Sequence, residues 1–129
     1  MTMPRLRRRL LLVDSDPRTA KVLRLLLTGD GFEVDVASDG LAALSSFARV
    51  PLPDALICDV RVGQAEAEAV ARLARAHQPT SPVFVLTNDL RLIATTLCYP
   101  PPLVFTKPID YPSLLTAIRT ALEQSQSGH

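Results

Sequence analysis

With 129 residues the chain is the size of one domain. Its 47% hydrophobic and 21% charged content excludes intrinsic disorder, and 14 basic against 13 acidic residues, a formal charge of +1, give no electrostatic case for nucleic acid as a partner. No run approaches the ~18–20 apolar residues of a spanning helix. Arg5, Arg7, Arg8 and Arg9 resemble a signal n-region, but only Leu10–Val13 follows before Asp14, and an h-region needs about 7–15. A cytoplasmic protein with no membrane association is expected, with Cys58 and Cys98 as thiols rather than a disulfide framework.

Apolar runs and helical patterns alternate along the chain. Leu10–Val13 reads as a buried strand. Asp16 then suits an N-cap and Pro17 a first helical turn, followed by Ala20, Leu23 and Leu27 at helical spacing, with Gly29 and Gly31 as the stop. Phe32–Val36 alternates apolar with Glu33 and Asp35, the pattern of an edge strand. A second helix is expected from about Asp39, with Ala43, Leu44 and Phe47 inward. Ala55–Cys58 is a third strand, and Ala65–His77 a third helix. Val83–Leu86 is a fourth strand, followed by a short helix over Leu90–Leu97. Leu103–Phe105 is a fifth strand. The last helix starts near Pro112 and presents Leu114, Leu115, Ile118 and Leu122.

Four of the five strands are almost continuously apolar, which suits a parallel sheet covered on both faces. Five strand–helix repeats predict a doubly wound α/β domain with right-handed crossovers and five helices. Residues 1–9 read as a basic lead-in, 10–123 as the domain and 124–129 as a frayed tail. The eleven prolines fall at element joints. In such a sheet the site lies at the carboxyl ends of the strands. There the sequence places Asp14-Ser15-Asp16, Asp59, Thr87-Asn88-Asp89 and Thr106-Lys107-Pro108. Acids, a hydroxyl and a lysine together suit phosphoryl transfer: carboxylates hold Mg²⁺ or act as nucleophile, and the hydroxyl and ammonium neutralise phosphoryl oxygens. Lysine is scarce here, since only Lys21 and Lys107 stand among the 14 basic residues, which hints that a point charge is wanted at 107.

Five stretches carry a resemblance: Leu11–Pro17, Ser38–Leu44, Pro53–Asp59, Pro82–Thr87 and Phe105–Asp110. In this order and spacing the chain resembles the receiver domain of two-component response regulators, CheY-like, from about Leu10 to Leu122. The resemblance implies a flavodoxin-like sheet in the order 2-1-3-4-5. It implies that Asp59 accepts a phosphoryl group from a histidine kinase or phosphotransfer protein. Mg²⁺ would be held by Asp14, Asp59 and the backbone carbonyl of Arg61, with Ser15 as a weakened fourth position. Thr87 and Lys107 would contact the phosphoryl group, and Arg61 and Asp89 would tune its loss. The Lys107–Pro108 bond would be cis. Output would pass to a downstream protein target, with a homodimer through the fourth helix, fifth strand and fifth helix as one arrangement. The domain would be a phosphoacceptor with at most autophosphatase activity, not an enzyme.

The departures matter as much. Ser15 stands where the family has the second acid of its Mg²⁺-binding pair. The loop Val60–Ala65 and the stretch Cys98–Leu103 differ from the family pattern. Val104 occupies the usual place of an aromatic switch residue, leaving Tyr99 or Phe105 for some other role. A pseudo-receiver, an interaction module with no phosphoryl switch, is therefore the competing reading. A haloacid-dehalogenase-type phosphatase is a third. It matches the Asp14-Ser-Asp16, Thr87 and Lys107 pattern but lacks that family's acidic pair after the lysine, where only Asp110 follows.

Overall fold

The apolar runs become strands because residues covered on both faces need no alternation. A computed structural model describes residues 7–46, 52–59, 72, 75–76, 80–88 and 103–127. The strands are β1 (Arg9–Val13), β2 (Glu33–Ala37), β3 (Ala55–Asp59), β4 (Val83–Thr87) and β5 (Leu103–Thr106). They form one parallel sheet in the order β2-β1-β3-β4-β5, as expected. The described helices are α1 (Pro17–Gly29), α2 (Gly40–Ser46) and α3 (Tyr111–Ser127). Three helices thus stand where five are expected. The expected third and fourth, over Ala65–His77 and Leu90–Leu97, lie outside the described residues, apart from helical Arg72, Arg75 and Ala76.

The α1 boundaries follow local chemistry. Asp16 is extended and its carboxylate accepts the Arg18 N–H at 3.0 Å, capping the helix, with Pro17 in the first turn. At the other end Gly31 takes φ of 100°, a conformation that favours glycine. Ala20, Leu23 and Leu27 are buried as the spacing predicts, beneath α1 and against Leu10, Leu12, Val34, Ile57, Phe84 and Leu86. Leu114, Ile118 and Leu122 of α3 join the same core, each contributing roughly 1.5–3 kcal/mol by burial.

One expectation needs correction. Leu44 does not face inward: it is 44% exposed, and the buried line of α2 is Gly40, Ala43 and Ser46. That line steps by three along the helix and places Leu44 about 100° away from Ala43. Helix α3 extends to Ser127, with no glycine or proline between its first turn and Gly128.

Candidate functional site

Register brings the site residues together. Val13 of β1 pairs with Cys58 of β3, so the next residues, Asp14 and Asp59, leave adjacent strands side by side. Thr87 ends β4 beside Thr106 of β5, and the Lys107 N–H donates to the Thr87 carbonyl at 2.8 Å, extending that ladder by one residue. Asp14, Asp59 and Thr87 are all buried.

Burying carboxylates is costly unless they are paired or hydrogen-bonded. Lys107 Nζ donates to Asp59 Oδ2 at 2.5 Å, and its side chain remains partly exposed while Asp59 is enclosed. The backbone of Lys107 is held by its strand pairing with Thr87. The Lys107–Pro108 peptide is cis, and Asp110 accepts from the Ser113 hydroxyl as α3 begins. Asp14 Oδ1 accepts the Asp16 N–H at 2.9 Å, an Asx-type bond that shapes the β1–α1 turn.

Ser15 and Asp16 decide how many acids the site has. Ser15 is exposed. Asp16 does not replace it, because both its oxygens are engaged: Oδ1 accepts from Arg18 N and Oδ2 from Thr19 Oγ1 at 2.8 Å. Among the described residues no group of three or more His, Cys, Asp or Glu is placed to hold a metal ion. The donor set is two buried carboxylates, Asp14 and Asp59. This fits Mg²⁺, a cation that takes one or two carboxylates and keeps several waters, with one charge fewer than a carboxylate at position 15 would add.

The remaining expected positions divide. Arg61 and Asp89 lie outside the described residues, as do Tyr99 and Cys98. Val104 is half-buried in β5, and Phe105 packs its ring on Phe84 with centroids 6.3 Å apart, so it belongs to the core. Cys58 is a buried thiol next to Asp59. Sequence reasoning missed a groove of about 270 Å³ beside the site, lined by Val22, Leu26, Lys107, Ile109 and Tyr111. The signal was present: α1 carries Val22, Leu25 and Leu26 in addition to its core stripe.

Residues 10–119 match the response regulator receiver domain. The chain belongs to that family. The receiver domain is 36% identical over 119 residues to the transcriptional regulatory protein GlrR of Escherichia coli (strain K12), covering 90% of this chain and 26% of that protein. It is 29% identical over 119 residues to the transcriptional regulatory protein TrcR of Mycobacterium tuberculosis, covering 91% and 46%. The chain thus spans between a quarter and a half of these relatives. Among solved structures, it resembles a response regulator receiver protein from Sinorhizobium medicae (TM-score 0.83, 25% identity, 92% of this chain and 97% of that one). It also resembles the signal receiver domain of an HD domain-containing protein from Pseudomonas fluorescens (TM-score 0.83, 27% identity, 99% and 96%). As a receiver domain of two-component response regulators, it falls in a class of phosphoacceptors rather than enzymes. No helix among the described residues is long and apolar enough to cross a membrane.

Proposed function

We propose that this receiver domain accepts a phosphoryl group on Asp59 from a histidine kinase or phosphotransfer protein. The observation that carries the reading is the buried Asp59 with Lys107 Nζ at 2.5 Å, beside a second buried acid, Asp14. An Asp59 carboxylate oxygen attacks the phosphorus of a phosphohistidine, the P–N bond breaks, and the imidazole leaves with a proton from water. The Lys107 ammonium transfers its contact from the carboxylate to a phosphoryl oxygen, and the Thr87 hydroxyl donates to another. Mg²⁺, when bound, neutralises charge on the phosphoryl oxygens; Asp14, Asp59 and the Arg61 carbonyl would hold it, with Ser15 a weak neutral neighbour. Arg61 and Asp89 side chains would set how fast water removes the phosphoryl group, giving at most autophosphatase activity. The groove of Val22, Leu26, Ile109 and Tyr111 gives the phosphodonor an apolar landing beside Lys107.

Output is proposed through the face around β5 and α3, toward a downstream protein or a second copy, in the cytoplasm. The named relatives are transcriptional regulators. The balanced charge of the domain gives no electrostatic case for a direct nucleic-acid contact, and in this reading DNA is reached through another part or protein.

A second reading, a pseudo-receiver, is favoured by one observation: Ser15 is neutral and Asp16 is held in the α1 cap. Beryllofluoride with millimolar Mg²⁺ separates the two. Amide shifts around Asp59 and Thr87 that vanish in Asp59→Asn support phosphorylation. No response in the wild type, restored by Ser15→Asp, supports the pseudo-receiver.

A further inference from the structure

Among the described residues β2 is an outer strand of the sheet, and a groove lies beside it on the flank of α1 away from Lys107. Glu33 N–H donates to the Arg8 carbonyl and Asp14 N–H to the Ala37 carbonyl, so Glu33 and Ala37 turn their backbone groups toward β1. By the alternation of a parallel ladder, the N–H and C=O of Val34 and Val36 point away from the sheet, as an open template for another strand. Next to that edge lies a groove of about 470 Å³ between α1 and β2, lined by Ala20, Lys21, Arg24, Leu25 and Val36 among others. Leu25 is 63% and Val36 43% exposed, so the groove wall leaves adjoining apolar surface open to solvent. The charged residues lining the groove are both cations, and neither Lys21 nor Arg24 forms an ion pair among the described residues.

We propose that this edge takes up an extended peptide, hydrogen-bonded to Val34 and Val36 as a further strand, whose side chains on the α1 face are apolar and acidic in turn. Every second side chain of such a strand falls on the α1 face of the sheet. Apolar ones there cover Leu25 and Val36, and an acid reaches Lys21 or Arg24. Charge argues against a second copy as the occupant. Antiparallel pairing of two β2 edges about a twofold axis brings both α1 helices to the seam and sets Lys21 and Arg24 against their equivalents.

The proposal is independent of phosphorylation, and Asp59→Asn binds the peptide unchanged. The test titrates the labelled domain with an N-acetylated seven-residue peptide that carries valine and glutamate in turn at its odd positions and threonine at its even ones, so that both fall on one face, and with a counterpart that has lysine for glutamate. The expected result is amide shifts and hydrogen-exchange protection at Val34 and Val36 with the glutamate peptide alone. Lys21→Glu with Arg24→Glu, both exposed, weakens that binding about tenfold and transfers preference to the lysine peptide. Val36→Pro removes an outward donor without touching the β1 ladder and abolishes binding. No shift in β2 at millimolar peptide, or equal binding of the two peptides, overturns the proposal. Protection of Val34 and Val36 that grows with protein concentration alone overturns it in favour of a second copy.

Discussion

The two turns that flank Asp59 differ in what they supply. The β5–α3 turn provides a positive charge: Lys107 reaches Asp59, Lys107 N–H pairs with Thr87, and Asp110 and Ser113 start the next helix. The β1–α1 turn provides negative charge, and there one carboxylate is missing. Asp14 faces the site, Ser15 is neutral and exposed, and Asp16 caps α1. In the proposed phosphoryl-acceptance site, one half is therefore complete and the other is one charge short of the family pattern. Residues adjacent in sequence serve different purposes because a strand end and a helix start make opposite demands on three consecutive side chains.

This contrast can be broken at either turn. The largest effect is expected from Asp59→Asn, which leaves fold and Lys107 in place and removes all phosphoryl uptake from acetyl phosphate, read by intact mass. Lys107→Met leaves Asp59 buried without its ammonium. It lowers stability by about 1–3 kcal/mol in urea unfolding, discounted because the lysine is partly solvated. Ser15→Asp adds the missing carboxylate and tightens Mg²⁺ binding by about tenfold, or ~1.4 kcal/mol, followed by amide shifts in a Mg²⁺ titration. Asp16→Ala costs about 1 kcal/mol of thermal stability through the lost cap and leaves Mg²⁺ affinity unchanged; a loss of metal binding would show that Asp16 is a ligand.

The smallest effect concerns how α3, which follows the lysine turn, is tied to α1. The Tyr111 hydroxyl donates to Asp30 at 2.7 Å, and Arg119 lies near the same carboxylate. Burial first, then the hydrogen bond and charge of Asp30, push the Tyr111 hydroxyl well above its usual value near 10. The folded state thus holds this proton more tightly than the unfolded chain. Its stabilisation is complete below pH ~10 and is lost as pH rises beyond it. Tyr111→Phe costs about 0.5–1.5 kcal/mol at neutral pH and flattens the alkaline fall in stability.

Much of this was legible in sequence. Continuous apolar runs identified four strands and alternation the edge strand β2, and the ends of β1, β3, β4 and β5 grouped Asp14, Asp59, Thr87 and Lys107. Asp16 was recognisable as a cap because proline follows it. Facing was less legible: Leu44 fits an apolar stripe, yet the small residues Gly40, Ala43 and Ser46 pack closer to the sheet. Long-range partners left no local trace. Arg9 with Asp35 and Tyr111 with Asp30 join positions far apart, and nothing in their flanking residues records the match. The exposed Val36 was hidden for the opposite reason, since it belongs to an alternating pattern that reads as core.

The most direct test of the central claim is intact mass after incubation with acetyl phosphate and millimolar Mg²⁺. One added phosphoryl group, absent in Asp59→Asn and increased in Ser15→Asp, is the result expected. An unchanged wild-type mass, with uptake appearing only in Ser15→Asp, would contradict the account and identify the neutral residue at position 15 as the reason.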